Sequence, residues 1–339
     1  MFRRRLIALR SIFTYGTLAG LMFAGQVASL SAQTASDLQP RQFAAVAHNS
    51  QAQQYLLFGG TYGYQPFGDT WLLGASGWQM QSPAVNPAAR ISAAAAYDSA
   101  HAQFVLFGGR VKGATPSLCS PGAVPKEMTT AFFCQDTWVF DGKNWTKKTP
   151  VNSPPPRERH AMAFDAATNQ VVLFGGISNA TAAPLNDTWV WNGTNWSQVI
   201  TAHQPPARSM HTMAYDPINQ QIVMFGGDGG SEILNDTWLW NGKDWLAAPP
   251  QTTPPPLRTG AGMDFNATLG KVVLFSGSSW TTMKLGNPSV DSWTWNGSQW
   301  QQLTASEFQL ITDFSTLTAA EASKAILANG TPTMLWVPR

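Results

Sequence analysis

The chain has 339 residues, of which 44% are hydrophobic, 12% aromatic and only 12% charged. This composition excludes both a disordered polyelectrolyte and a long coiled coil. The formal net charge is +2, but four of the 21 basic residues lie among the first ten positions, and the remaining 17 face 19 acidic residues. The rest of the chain therefore has no basic field of the kind that binds nucleic acid.

The first 32 residues have the pattern of a secretory signal peptide. A basic start is followed by an apolar stretch from Leu18 to Gly25 and by small residues ending near Ala32. The apolar stretch is short for a membrane span, and no later stretch is apolar enough for one. We expect cleavage between Ala28 and Ala32 and a secreted or periplasmic protein; the alternative is an uncleaved membrane anchor. The two cysteines agree with an oxidising compartment.

Five repeats of about fifty residues follow the predicted signal. Phe-Gly-Gly occurs four times and Phe-Ser-Gly once, in every case 17 residues after an arginine. Asp-Thr-Trp (Asp-Ser-Trp in the last repeat) comes next, and a second tryptophan lies seven residues after the first. Two fixed spacings kept in five copies indicate a repeat protein. The repeats cover residues 38–83, 84–151, 152–202, 203–252 and 253–303.

Each repeat reads as four short strands. In the third repeat, small residues at 161–164 precede a turn, an apolar run ends in Gly-Gly, and Asn192-Gly193 predicts a tight hairpin before the last strand. Small residues on the first strand suit the crowded axis of a closing ring. The sequence therefore predicts an all-β fold: a β-propeller of five four-stranded blades over residues 38–303. Residues 304–339 are expected to form a C-terminal tail with a short helix and a strand.

The combination of Arg, Gly-Gly, Asp-Thr-Trp and Trp resembles the kelch-repeat family, the propeller class that includes the galactose-oxidase-like proteins. The resemblance covers about 265 residues and implies a fold more firmly than an activity. Kelch propellers usually have six or seven blades, whereas this sequence has five repeats. Galactose oxidase binds copper through a tyrosine pair and two histidines, and its cysteine-crosslinked tyrosine has no evident counterpart here. We therefore expect no metal and no cofactor.

Loops between the second and third strands should lie on one face together with the connections between blades. The interval from Phe to Asp on this face is 11, 29, 13, 11 and 16 residues in the five repeats. The longest interval holds an insertion at 112–135 that contains both cysteines, Cys119 and Cys134. We expect a disulfide between them and a loop long enough to wall a binding cleft.

The arginines that start the repeats are expected to form a ring at the channel mouth on the same face. Such a ring could hold a carboxylate by bidentate contacts; the alternative is that each arginine pairs with the aspartate of its own repeat. His160 and His211 occupy equivalent places in neighbouring repeats and could meet at the axis, where the alternative is a water-filled channel. The five arginines are Arg41, Arg90, Arg157, Arg208 and Arg258.

Most of the 15 tryptophans belong to the repeat framework, so few aromatic residues are free for a ligand. Those in variable loops are Tyr62 and Tyr64 in repeat one and Trp280 in repeat five, which are neighbours if the ring closes. Asp264 stands where the other repeats have alanine, and could bind a cation or water near the axis or be solvated.

The favoured function is an exported binding or interaction module whose ligand, a saccharide or a protein, lies on the variable loops. A sugar-active enzyme, such as the kelch-fold sialic acid mutarotases, is the alternative. It would need an acid/base carboxylate, Glu158 or Glu232, in one cleft with unpaired Arg157 and Arg208. A third possibility is a purely structural propeller in an envelope assembly. Nucleic acid is not an expected partner.

Overall fold

The computed structural model describes residues 38–39, 41–63, 65–113, 119–121, 131–178, 183–278 and 291–304. These residues form strands, turns and loops, and none of their segments is a helix that could cross a membrane. The predicted signal peptide, Tyr64, Trp280 and all but the first residue of the predicted tail lie outside the described residues.

Twenty-eight short strands make up the described chain. In chain order they are β1 (Ala45–Asn49), β2 (Gln54–Phe58), β3 (Thr61–Tyr62), β4 (Gln65–Pro66), β5 (Thr70–Gly74), β6 (Gly77–Gln81), β7 (Arg90–Ile91), β8 (Ala94–Asp98), β9 (Gln103–Phe107), β10 (Arg110–Lys112), β11 (Cys119–Pro121), β12 (Ala131–Cys134), β13 (Thr137–Phe140), β14 (Trp145–Lys148), β15 (Arg157–Glu158), β16 (Ala161–Asp165), β17 (Gln170–Phe174), β18 (Ile177–Ser178), β19 (Thr188–Trp191), β20 (Trp196–Val199), β21 (Thr212–Asp216), β22 (Gln221–Asp228), β23 (Ile233–Trp240), β24 (Trp245–Ala247), β25 (Gly262–Asn266), β26 (Lys271–Phe275), β27 (Ser292–Trp295) and β28 (Trp300–Gln302).

Five four-stranded antiparallel sheets follow one another along the chain and form blades 1 to 5. Their strand orders are β1-β2-β5-β6, β8-β9-β13-β14, β16-β17-β19-β20, β21-β22-β23-β24 and β25-β26-β27-β28. The first strands of successive blades pack on one another, from β1 through β8, β16 and β21 to β25. These strands therefore surround the axis, as their small residues predict, and the kelch-type β-propeller expected from the sequence is confirmed. Blade 2 carries an additional sheet, β7-β10-β12-β11, on the face that bears the variable loops, called the loop face below.

The core is divided into layers, one in each seam between successive blades. Between blades 1 and 2, Leu56 and Phe58 pack against Phe104, Leu106 and Trp145. Burying each such side chain stabilises the fold by roughly 1.5–3 kcal/mol. The second tryptophan of each later blade also donates its indole N–H to the threonine of Asp-Thr-Trp in the preceding blade. These bonds, 2.8 to 2.9 Å long, join Trp145 to Thr70, Trp196 to Thr137, Trp245 to Thr188 and Trp300 to Thr237.

The first glycine of each Phe-Gly-Gly is required by the closeness of the next blade. Gly108 has φ +65°, and a Cβ added there would lie 2.7 Å from the carbonyl oxygen of Arg157. Gly59, Gly175 and Gly226 meet the next arginine carbonyl in the same way, at 2.5 to 2.7 Å. Such approaches exclude any side chain. Blade 5 has Ser276 at this position, with φ +57°, so its seam with blade 1 must leave room for a Cβ.

The seam between blades 5 and 1 is held by polar contacts instead. The indole nitrogen of Trp78 is buried and finds no partner in the described chain, so the tryptophan bond of the other seams is missing. His48 Nδ1 of blade 1 lies 2.8 Å from Asp264 Oδ2 of blade 5, and the His48 ring stacks on Tyr55 with centroids 4.1 Å apart. Burial, and then the Asp264 carboxylate, raise the pKa of Tyr55. Asp264 thus pairs with His48 across the seam between blades 5 and 1. The sequence did not indicate this partner.

Candidate functional site

The five framework arginines are buried, and each is held by the same set of acceptors. Arg90 donates from Nε to the Ala88 carbonyl (3.0 Å), from Nη1 to the Gly108 carbonyl (2.8 Å), and from Nη1 and Nη2 to the two oxygens of Asp136 (2.6 and 2.8 Å). Asp136 Oδ2 also accepts the indole N–H of Trp138 at 2.7 Å. Equivalent bidentate pairs join Arg41 to Asp69, Arg157 to Asp187, Arg208 to Asp236 and Arg258 to Asp291.

This network agrees with the predicted alternative, in which each arginine pairs with the aspartate of its own repeat, and excludes an open arginine ring. All five arginines are at most 2% exposed, and most of their donors are taken by the fold, so they position the third strand and the Gly-Gly turn. Burial acts to raise the pKa of Asp136, but the Arg90 charge and the hydrogen bonds from Arg90 and Trp138 outweigh it and hold the pKa below its usual range. The other four aspartates also have lowered pKa values, because guanidinium and indole hydrogen bonds outweigh burial there too.

A second set of residues lies two positions after each arginine, around the axis. These residues, called the mouth ring below, are Phe43, Ser92, Arg159, Met210 and Gly260. All have left-handed backbone conformations, with φ between +54° and +61°. Backbone N–H groups of successive members donate to the carbonyl of the preceding member over 2.8 to 2.9 Å, which links the five blades. The left-handed conformation costs a non-glycine residue energy and is often found at functional sites.

A small cavity lies at the mouth ring. It is lined by Phe43, Ser92, Ala93, Arg159, His160, Met210 and His211, and its volume of about 10 Å³ is room for roughly one water molecule. The structure therefore brings together the two histidines that the sequence singled out. Both stand where blades 1, 2 and 5 have Ala44, Ala93 and Ala261.

Both histidines are buried and neutral. Burial, and then the positive charge of Arg157, lower the pKa of His160 to about 3. Burial, Arg208 and then His160 lower the pKa of His211 well below its usual value. The rings pack edge-on against Phe107 and Phe174, with centroids 5.5 Å apart in each pair. A weak hydrogen bond with the backbone of the same phenylalanine acts to raise the pKa of each histidine, and the ring nitrogens have no other hydrogen-bond partner within the described chain.

Glu158 lies beside the cavity, between two arginines outside the framework. Its Oε2 is 3.3 Å from Arg110 Nε and its Oε1 is 3.5 Å from Arg159 Nε. Glu158 is only 3% exposed, whereas Arg110 and Arg159 are 15% and 29% exposed. This group of three residues, called the charged cluster below, carries one net positive charge on the loop face between blades 2 and 3.

Arg110 is the member of the charged cluster that sequence reasoning missed. It follows Phe-Gly-Gly in repeat two, and Glu158 follows the framework arginine in repeat three. An arginine after Phe-Gly-Gly in one repeat and a glutamate after the framework arginine in the next could have indicated this ion pair. Glu232, the other carboxylate proposed for an enzyme, is exposed in the turn before β23 and makes no ion pair within the described chain. Tyr62 is 64% exposed on β3.

The predicted disulfide is present. Cys119 and Cys134 are bonded to each other and face one another across the β11–β12 pair. Their sulfur atoms lie close to Asp136, but because they are bonded to each other they offer no thiolate to a metal. The disulfide thus fastens the additional sheet of blade 2 beside the Arg90–Asp136 pair.

Comparisons with known proteins agree with this architecture. The family model described as the KLHDC2/KLHL20/DRC7 Kelch-repeats domain matches residues 166–331. An F-box/kelch-repeat protein of Arabidopsis thaliana is 35% identical over 116 residues, which are 29% of this chain and 23% of that protein. The flagellar outer-arm dynein alpha chain of Chlamydomonas reinhardtii is 28% identical over 131 residues, 38% of this chain and 3% of its own.

Human host cell factor 1 is 32% identical over 112 residues, which are 28% of this chain and 6% of that protein. The matched regions therefore span between 3% and 23% of the relatives' lengths. The likeness concerns the repeats and not the whole of any relative. With the Arg–Asp–Trp networks and the five four-stranded sheets, it supports a kelch-type β-propeller whose repeats are similar to those of kelch-repeat proteins.

Proposed function

We propose that the protein is an exported kelch-repeat interaction module that binds an acidic segment of a protein partner on its loop face. The observation that carries this proposal is the charged cluster. Two guanidinium groups, on Arg110 and Arg159, share one carboxylate, so donors remain for an acidic ligand. The kelch-repeat relatives support an interaction module in general terms.

The alternatives have less support from the contacts. The enzyme proposal required Arg157, Arg208 and a glutamate unpaired in one cleft, but these arginines pair with Asp187 and Asp236. The saccharide proposal relied on Tyr62, Tyr64 and Trp280, of which only Tyr62 lies in the described residues. Export is supported by the sequence of residues 1–32 and by the disulfide. It is tested by the mass of the exported protein, which should begin between residues 29 and 33.

Binding of displayed peptides and of acidic and neutral saccharides to the mature protein would test the ligand class. We expect acidic peptides to be selected, and we expect Arg110→Gln and Arg159→Gln each to weaken their binding at least tenfold. Lys143→Gln is the matched control, because it removes one positive charge at the turn between β13 and β14, on the opposite face. Selection of saccharides in place of peptides would contradict the proposed partner class, and equal binding by all variants would remove the charged cluster from the site.

A further inference from the structure

The cavity at the mouth ring has an unusual concentration of buried polar atoms without partners. Ser92 Oγ makes no hydrogen bond within the described chain. The ring nitrogens of His160 and His211 have at most a weak contact with the backbone of Phe107 and Phe174. Among the described residues, Arg159 Nε has only its 3.5 Å ion-pair contact with Glu158 Oε1. Ser92, His160 and His211 are 4%, 6% and 3% exposed. Buried polar groups are nearly always paired, so several unpaired ones around one space indicate that something else occupies it. We infer that the cavity is a binding site for a small monovalent anion, either a halide or the carboxylate of a larger ligand.

The surrounding charge favours an anion over a metal cation. The guanidinium of Arg159 lines the cavity itself, and the charges of Arg157 and Arg208 reach the two histidines, as their lowered pKa values show. The nearby carboxylates are already engaged: Asp187 and Asp236 hold Arg157 and Arg208, and Glu158 holds Arg110 and Arg159. A hydroxyl, a guanidinium N–H and two imidazole N–H groups are then available as donors.

The repeat itself indicates that these residues are not needed for folding. Blades 1, 2 and 5 place alanine where His160 and His211 stand, so a small apolar side chain satisfies the seam. The histidines fill that place with ring nitrogens that have no side-chain partner within the described chain. Ser92 and Arg159 are held in left-handed conformations beside them. Buried polar groups that replace alanine and have no side-chain partner fit a binding role.

The size of the cavity limits the ligand. A volume of about 10 Å³ admits one atom of roughly water size. A chloride ion fits after a small shift of the partly exposed Arg159, and so does one oxygen of a carboxylate whose remainder points out of the mouth. Sulfate and phosphate, with four oxygens on one centre, are too large. The site shares Arg159 with the proposed function but does not depend on it, because a free anion can bind whether or not a partner docks.

Anion titrations of the mature protein test this inference. Chloride, formate and acetate would each be added in place of sulfate at constant ionic strength, with thermal stability and the histidine ring-proton NMR signals as readouts. We expect saturable stabilisation by chloride, formate and acetate but not by sulfate, together with a higher pKa of His160, because a bound anion favours the imidazolium. If carboxylates bind much more tightly than chloride, the cavity holds the carboxylate of a larger ligand. If chloride binds more tightly, the cavity holds an inorganic ion.

His160→Ala and His211→Ala recreate the residue of the other blades and should each weaken anion binding at least tenfold. His203→Ala is the matched control, because His203 is 65% exposed and pairs with Asp244 away from the mouth. Effects of chloride and the carboxylates equal to those of sulfate, or effects that persist in both cavity variants, would overturn the inference. If anions fail but Arg110→Gln still weakens peptide binding, the proposed function stands without the anion site.

Discussion

Replacing Asp136 by alanine tests whether the framework arginines are structural. Arg90 and Asp136 are 1% and 3% exposed, the most deeply buried of the five pairs. The substitution leaves the Arg90 guanidinium with the carbonyls of Gly108 and Ala88 and no counter-charge. Removing one partner of a buried ion pair typically costs about 3–5 kcal/mol, because the remaining charge stays desolvated. That is a large part of the roughly 5–15 kcal/mol by which domains are stable.

Asp236→Ala is the matched variant in blade 4. Its arginine, Arg208, is as buried as Arg90, but Asp236 is 36% exposed. Water can therefore replace part of the lost carboxylate, and we expect a smaller cost of about 1–2 kcal/mol. The comparison holds the chemistry constant and varies only the access of solvent.

Urea unfolding at pH 7, followed by tryptophan fluorescence, measures both free energies. The two costs correspond to a decrease in melting temperature of roughly 6–20 °C for Asp136→Ala and a few degrees for Asp236→Ala. Combining Arg90→Met with Asp136→Leu should recover much of the lost stability, because an apolar pair leaves no buried charge. A structural role for the pair is refuted if Asp136→Ala unfolds like the wild type, or if both alanine variants lose the same free energy of unfolding.

Three further predictions concern pH, the seams and the disulfide. The framework aspartates have pKa values below that of an unfolded aspartate, about 3.9. Their stabilising effect is therefore complete above that pH and is lost as the pH falls through the lower pKa values of the folded state. The urea midpoint should be constant from pH 7 to 5 and decrease below about pH 4, and a decrease already at pH 6 would contradict this. Trp145→Phe should lower the free energy of unfolding by about 1 kcal/mol more than Trp78→Phe, because Trp145 donates a hydrogen bond across its seam and Trp78 does not. Equal losses in urea unfolding would contradict the difference between the seams. Replacing Cys119 and Cys134 by serine opens a 15-residue loop and should cost about 3 kcal/mol in the chain-entropy model, and reduction of the wild type should give the same loss.

The sequence predicted the blades well because their signals are local. Asn192-Gly193 does mark a hairpin, but the predicted tight turn is wrong, because the loop has four residues, 192–195, and only Gly193 of the pair has a positive φ. Alternation within each repeat places the apolar runs in the seams. The spacing of the arginines predicts their positions in the repeat but not the residues that they contact. The pairing with aspartate could only be an alternative, since it depends on how a loop of 11 to 29 residues returns to the sheet.

The candidate site was harder to predict because it is made between repeats. The charged cluster joins Arg110 of blade 2 to Glu158 of blade 3, and a single repeat contains only half of that contact. His160 and His211 were visible as departures from alanine, but their common cavity depends on the backbone bonds of the mouth ring. The contact of His48 with Asp264 likewise needs the ring of blades to bring the first and last together.

Departures from the repeat therefore separate into two kinds. His48 and Asp264 replace an aromatic residue and an alanine in different blades, and each is the other's partner across the one seam that lacks the tryptophan bond. Their polarity is explained by the fold. His160 and His211 also replace alanine, but no side chain within the described chain pairs with their ring nitrogens. Since the repeat shows that alanine suffices for folding there, the second kind of departure is the one that points to a ligand.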